Sequence, residues 1–177
     1  GEKGYIIKTV NGGLSWTQLS YPSNNDIYSL FFTSFNTGYA AGTDGLIFKT
    51  TNSGETWVLL STGTDISLST VFFINSEIGW ATGGEGVILK TTNSGDNWIV
   101  LNTPLNTILS SIYFIDENNG WACGWNGIII RTSDGGNNWI IQYSDDKSWL
   151  YSIHFTTEEN GWAVGWPGQI LFTNDGG

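Results

Sequence analysis

Short apolar runs alternate with polar clusters along the chain, and their order repeats. Ile27 to Thr33 alternates and is rich in Phe, Gly38 to Gly42 is small and apolar around Tyr39, and Leu46 to Thr50 and Thr56 to Leu60 follow. Runs of this length, bounded by Gly, Asn, Ser and Pro, predict strands, here named A, B, C and D. The same four recur at 68–74, 79–83, 87–91 and 97–101, then at 109–115, 120–124, 128–132 and 138–142. No segment carries a helical apolar period, which excludes a helical solenoid. A four-stranded antiparallel unit of about 40 residues, repeated, is the pattern of a propeller blade.

The repeat has a constant step of 41 residues, marked by Thr, any residue, Asn or Asp, any residue, Gly, two residues and Trp. Copies run from Thr9 to Trp16, Thr50 to Trp57, Thr91 to Trp98 and Thr132 to Trp139, and a fifth begins at Thr173. The expected fold is an all-β propeller with about four blades in one repeat region, 1–177, with units near 21–61, 62–102, 103–143 and 144–177 and a partial unit at 1–20. Strand C occurs in five copies and A, B and D in four each, so the ring is expected to be part of a longer protein or shared between chains. Gly4 to Gly13 and Gly168 to Gly177 are the same part of the repeat, so a terminal strand could be exchanged in self-association.

The motif resembles the Asp box, or bacterial neuraminidase repeat, of sialidases, sortilin-type receptors, xyloglucan-degrading glycosidases and the photosystem II assembly-factor family. The run Asn36-Thr37-Gly38-Tyr39-Ala40-Ala41-Gly42, followed by Gly45 to Trp57, is most similar to the last of these, and the resemblance covers the whole chain. It implies a fold more than a function. The box residues also have a physical reading. Asn11, Asn52, Asn93 and Asp134 are expected to accept backbone N–H bonds in the C–D turn, and Gly13, Gly54, Gly95 and Gly136 to supply positive φ. Trp16, Trp57, Trp98 and Trp139 then open strand D and bury area against the blade. A second series, Tyr39, Trp80, Trp121 and Trp162, with Phe32, Phe73, Phe114 and Phe155, is read as packing between blades. The basic series Lys8, Lys49, Lys90 and Arg131 alternates with apolar residues and is read as a solvated face.

Function is sought where the units disagree. Up-and-down strand order puts the B–C and D–A loops on the face opposite the boxes. The B–C loops read Thr43-Asp44, Gly84-Glu85, Trp125-Asn126 and Trp166-Pro167, and the last D–A loop adds Asp145, Asp146, Lys147 and Trp149. Trp125, Trp149 and Trp166 are therefore expected to cluster, with Asp44, Glu85, Asn126, Asp145 and Asp146 as polar companions and Tyr28 and Tyr151 extending the surface. Apolar rings flanked by Asp and Asn suit a protein hot spot or a sugar.

Composition narrows the classes. Sixteen acidic residues against six basic ones, net −10, leave no phosphate-binding surface, so nucleic acid is not an expected partner. No run approaches a membrane span. The sialidase chemistry that the resemblance suggests needs three Arg, and Arg131 stands alone. A glycosidase needs two carboxylates roughly 5 to 10 Å apart; Asp44, Glu85, Asp145 and Asp146 face the right way but sit on short loops. His154 is the only imidazole and Cys123 the only thiol, so neither a metal site, a cofactor nor a triad is expected. His154 is read as filling the slot of Phe31, Phe72 and Tyr113, and Cys123 as buried and inert. The expectation is a non-enzymatic binding or assembly module with a protein partner, the alternative being a carbohydrate-binding or glycoside-hydrolase-like propeller. Repeats rich in Ser, Thr, Asn and Gly resemble secreted bacterial proteins, which points to an extracellular or periplasmic location.

Overall fold

The computed structural model describes all 177 residues, and the 41-residue step is visible in every sheet. Strands β1 (Ile6–Lys8) and β2 (Thr17–Leu19) pair as a C–D hairpin. Three complete antiparallel sheets follow: β3 (Ile27–Phe32), β4 (Gly38–Gly42), β5 (Ile47–Thr50) and β6 (Val58–Leu60); β7 (Leu68–Phe73), β8 (Gly79–Gly83), β9 (Ile88–Thr91) and β10 (Ile99–Leu101); β11 (Leu109–Phe114), β12 (Gly120–Gly124), β13 (Ile129–Thr132) and β14 (Ile140–Tyr143). A last sheet holds β15 (Trp149–Phe155), β16 (Gly161–Trp166) and β17 (Gln169–Thr173). Within each sheet the strands neighbour one another in chain order, as in a propeller blade. The A strands β3, β7, β11 and β15 touch in succession, so they form the inner wall.

The D strands are shorter than expected, because box residues through Trp57, Trp98 and Trp139 remain in the turn. Each A strand also carries a bulge at its start, between Ile27 and Ser29 and at the three positions in register. The bulge frees Tyr28, Ser69, Ser110 and Tyr151 from the ladder, and a bulged residue can be aimed away from the sheet.

The core lies between blades. Tyr39, Trp80 and Trp121 are fully buried, and each stacks on the Phe one unit ahead: Tyr39 on Phe73 at 4.1 Å, Trp80 on Phe114 at 3.6 Å, Trp121 on Phe155 at 3.7 Å between centroids. The box Trp of that next unit meets the same Phe edge-on, Trp98 on Phe73 and Trp139 on Phe114. The Tyr39 and Trp80 joints are thus three-ring packets contributed by two units, and the Trp121 joint is a two-ring stack. A buried aromatic covering roughly 150–250 Å² contributes about 4–6 kcal/mol before entropy is subtracted.

Three members of these series depart from the expectation of burial, one of them Phe32, 44% exposed and met edge-on by Trp57. Trp16 is 57% exposed, because its unit contains only the hairpin β1–β2 and no A–B wall to cover it. Trp162 is 41% exposed and meets Phe172 of its own sheet at a tilt, 5.2 Å between centroids. Beside it is a cavity of about 280 Å³ lined by Ile129, Gln142, Phe155, Trp162, Leu171 and Phe172. This cavity is in register with the socket that holds Trp139 among Ile88, Phe114, Ile130 and Leu101.

Candidate functional site

The box turns are built from their Thr as much as from their Asn or Asp. Thr50 Oγ1 donates to Asn52 Oδ1 at 3.0 Å and accepts the Gly54 N–H at 2.9 Å. Asn52 Oδ1 then accepts the Thr56 N–H at 2.9 Å, the turn-closing bond expected of the box. Asn11, Asn93 and Asp134 accept the N–H of Ser15, Asn97 and Asn138 in the same way. The Thr is nearly inaccessible, 1–2% exposed at Thr50, Thr91 and Thr132, so its hydroxyl satisfies backbone that water cannot reach. Hydrogen bonds from Asn138 and Thr132 hold the Asp134 carboxyl below the ordinary carboxylate range.

The basic series is not a solvated face. Lys8, Lys49 and Lys90 Nζ each donate to a carbonyl in the box turn of the next unit: Ser53 at 2.9 Å, Ser94 at 2.7 Å, Gly135 at 2.9 Å. Tyr39 Oη joins Lys49 on the Ser94 carbonyl at 2.8 Å, and Trp80 Nε1 joins Lys90 on that of Gly135 at 3.2 Å. Trp121 Nε1 reaches Gly176 in the same register, with the Arg131 guanidinium over its ring. Strand alternation alone sends these cations outward; the neighbouring blade's turn sits where water would be. Burial lowers the Lys90 pKa. Only Lys49 and Asp96 form an ion pair, at 3.4 Å on this face.

The opposite, loop face is irregular where the sequence is. Lys3, Asp44, Glu85 and Asn126 occupy one register position, and all adopt left-handed backbone, φ 52 to 59°. Pro167 comes next in that register, and its ring excludes positive φ. There β16 extends to Trp166, and β15 begins at Trp149 as its cross-strand partner. Trp149 also bridges to Trp125 in the preceding blade. The three indoles form one stack, Trp125 to Trp149 at 5.1 Å and 15°, Trp149 to Trp166 at 5.4 Å and 33°. They are 40%, 40% and 52% exposed. Trp149 contacts both of the other indoles, whereas Trp125 and Trp166 each contact one and form the ends of the stack.

Asn126 and Asp145 belong to this group, the Asn126 carbonyl accepting the Asp145 N–H at 2.9 Å. Asp146 is exposed in the same loop, and Tyr151 projects from the bulge two residues beyond Trp149. Asp44 and Glu85 share the face but not the cluster. Each sits on the B–C turn of an earlier blade: the Gly86 N–H beside Glu85 bonds the Thr107 carbonyl, and the Asp44 carboxylate accepts from Asn25. His154 continues a ladder of one ring per A strand, Phe31, Phe72, Tyr113 and His154, with centroids 5.5, 5.2 and 4.5 Å apart. Cys123 is fully buried, and desolvation pushes its thiol pKa up to about 12.

Four-stranded sheets stepped by 41 residues, with box turns fastening each blade to the one before, define an Asp-box β-propeller. The family model described as photosynthesis system II assembly factor YCF48 matches residues 8–107 and 97–177, and the chain belongs to this family. Among solved structures it is similar to YCF48 from Cyanidioschyzon merolae, 21% identical with a TM-score of 0.76 over 98% of this chain and 64% of that one. YCF48 bound to D1 peptide is 19% identical with a TM-score of 0.64 over 88% and 68%. The GH74 enzyme of Niastella koreensis is 16% identical with a TM-score of 0.65 over 80% and 26%. The chain therefore spans about two thirds of the YCF48 structures, and likeness at these identities carries the fold alone. No relative matches among the curated proteins.

Proposed function

We propose that the chain is a non-catalytic binding or assembly module that docks a protein segment on its loop face, through Trp125, Trp149 and Trp166. The observation that carries this reading is the three-indole stack, half exposed and absent from every other blade junction. Large aromatics held rigid in an exposed cluster are the usual anchors of protein contacts. Family membership adds support, since a YCF48 structure holds a D1 peptide. A hydrolase needs walls around its carboxylates, and the turns Thr43–Gly45 and Gly84–Gly86 that present Asp44 and Glu85 are three residues long. An extracellular or periplasmic location belongs to the same proposal and is read by cell fractionation.

The test pans a random peptide library and a glycan array against the chain and against the double variant Trp125→Ala, Trp166→Ala. Peptides retained by the parent chain and lost from the variant are expected. Selective glycan binding lost in that variant, with no peptide retained, overturns the reading in favour of a carbohydrate-binding propeller.

A further inference from the structure

The loop face is acidic as well as aromatic. Asp26, Asp44, Asp65, Glu85, Asp145 and Asp146 lie on its turns, against Lys3 and Lys147. None of these carboxylates is in an ion pair, the single pair of the molecule being on the box face. The remaining cations cannot offset them locally. Lys8, Lys49 and Lys90 are drawn into box-turn carbonyls at the other end of the blades, and Arg131 lies over Trp121 there. The loop face thus carries an excess of unpaired carboxylates together with a Trp stack whose end rings, Trp125 and Trp166, each contact only one other indole.

Resting on the protein-docking reading above, we infer that the segment this face takes is cationic and carries arginine, its guanidinium groups lying on the outer faces of Trp125 and Trp166. An indole face attracts a cation through its quadrupole, more strongly than the other aromatics do. A planar guanidinium stacks where an ammonium only points, so Arg fits better than Lys. The surrounding carboxylates, Asp145 and Asp146 nearest in the chain, steer the segment in and discriminate against acidic ones. Asp146 is exposed and free to turn toward a bound group, whereas Asp145 is partly engaged by the Lys147 N–H at 3.1 Å. Lys147 is the one cation beside the stack and opposes such a ligand.

The test uses the 177-residue chain and four probes: a capped peptide of Arg, Gly and Ser, its Lys and Glu counterparts, and its Gln counterpart as a neutral control, followed by calorimetry and Trp fluorescence. The Arg peptide is expected to bind several-fold tighter than the Lys peptide, with the Glu peptide not binding. Its affinity should fall about tenfold as salt rises from roughly 20 to 300 mM and the screening length shortens from ~20 to ~6 Å. Trp166→Ala should weaken it by about tenfold, in the range expected for loss of a desolvated cation–aromatic contact. Asp146→Asn should weaken it a few-fold, Lys147→Ser should strengthen it, and Glu55→Gln on the box face should do neither. Arg-peptide binding unchanged by Trp166→Ala overturns the inference, since the attraction is then mere net charge. Trp-dependent binding of the Gln or Glu peptide as tight as that of the Arg peptide also overturns it, while leaving the docking reading intact. Failure of every peptide alongside glycan binding overturns both.

Discussion

The two ends of each blade are built under different constraints. At the box end, the N–H of Gly13, Gly54, Gly95 and Gly136 meets the box Thr hydroxyl at 2.9 Å in all four complete copies. At the loop end, one register position holds Thr43, Gly84, Trp125 and Trp166, and strand lengths change around the last of them. The box end also receives the Lys and aromatic donors of the preceding blade, so one turn serves two blades. Uniformity there is the requirement of a joint, and irregularity at the other end is the freedom of a surface that only a few backbone bonds between blades constrain. The contrast can be broken by substitutions that place the same chemical change at each end.

The largest effect is expected in the joint. Trp80→Ala removes a fully buried ring stacked on Phe114 and one of the two side-chain donors to the Gly135 carbonyl. A loss of about 3–5 kcal/mol is expected, as for other buried aromatics truncated to Ala, and urea unfolding measures it. A loss below roughly 1 kcal/mol would mean that the packet relaxes and that the blades are joined elsewhere.

A smaller effect separates the two ends directly. Thr91→Val keeps shape but strips the acceptor from the buried Gly95 N–H and the partner from Asn93. Leaving a buried donor unsatisfied costs about 1–3 kcal/mol. Thr43→Val, at the loop end, touches only a 3.3 Å contact with Asn25 and should stay within about 0.5 kcal/mol. Equal losses from the two substitutions would erase the distinction between joint and surface.

The buried joints also set a pH dependence. Burial holds the Cys123 thiol at about 12, above its ordinary 9.0, and Tyr39, desolvated and beside Asp96, at about 12, above 10.0. Between those values the folded state keeps protons that the unfolded chain releases, so stability is fully present below about pH 9 and declines toward pH 12. Unfolding midpoints followed across this window should fall, and Cys123→Ala should remove the earliest part of the fall. A flat profile for the parent chain would show that the thiol is solvated.

The fold was legible because the same inward alternation and the same turn chemistry occur several times in one register. The Trp cluster was legible for the inverse reason: Trp125, Trp149 and Trp166 break that register. The basic series was not. Lys49 reads as solvated because strand alternation says only which side it leaves by, and the Ser94 carbonyl it meets belongs to the next blade. Thr50 was visible as the first letter of the box, yet its hydroxyl's role depends on a turn geometry that composition does not contain. Register puts Asp44 and Glu85 on the loop face, but blade rotation separates positions that share a register and keeps both away from the Trp stack. A signal for the basic series existed in the 41-residue step: a charged position repeated as faithfully as the aromatics is as much part of the joint as they are.

The smallest effect on stability is expected from the residues assigned to function. Trp166 is 52% exposed and touches Trp149 through one tilted contact, so Trp166→Ala forfeits partial burial and one aromatic pair. An aromatic pair contributes about 0.5–1.5 kcal/mol beyond its area, and a half-exposed ring has already left much of its surface in water. A change near 1 kcal/mol, read from the thermal midpoint, is expected, against several for Trp80→Ala despite the identical substitution. Trp125→Ala should behave like Trp166→Ala, because it also sits at the end of the stack. Trp149→Ala should cost more than either, since its ring contacts two other indoles and its backbone bridges two blades. If Trp166→Ala instead cost as much as Trp80→Ala, the stack would be one more joint, and the loop face would have no residues beyond those the fold requires.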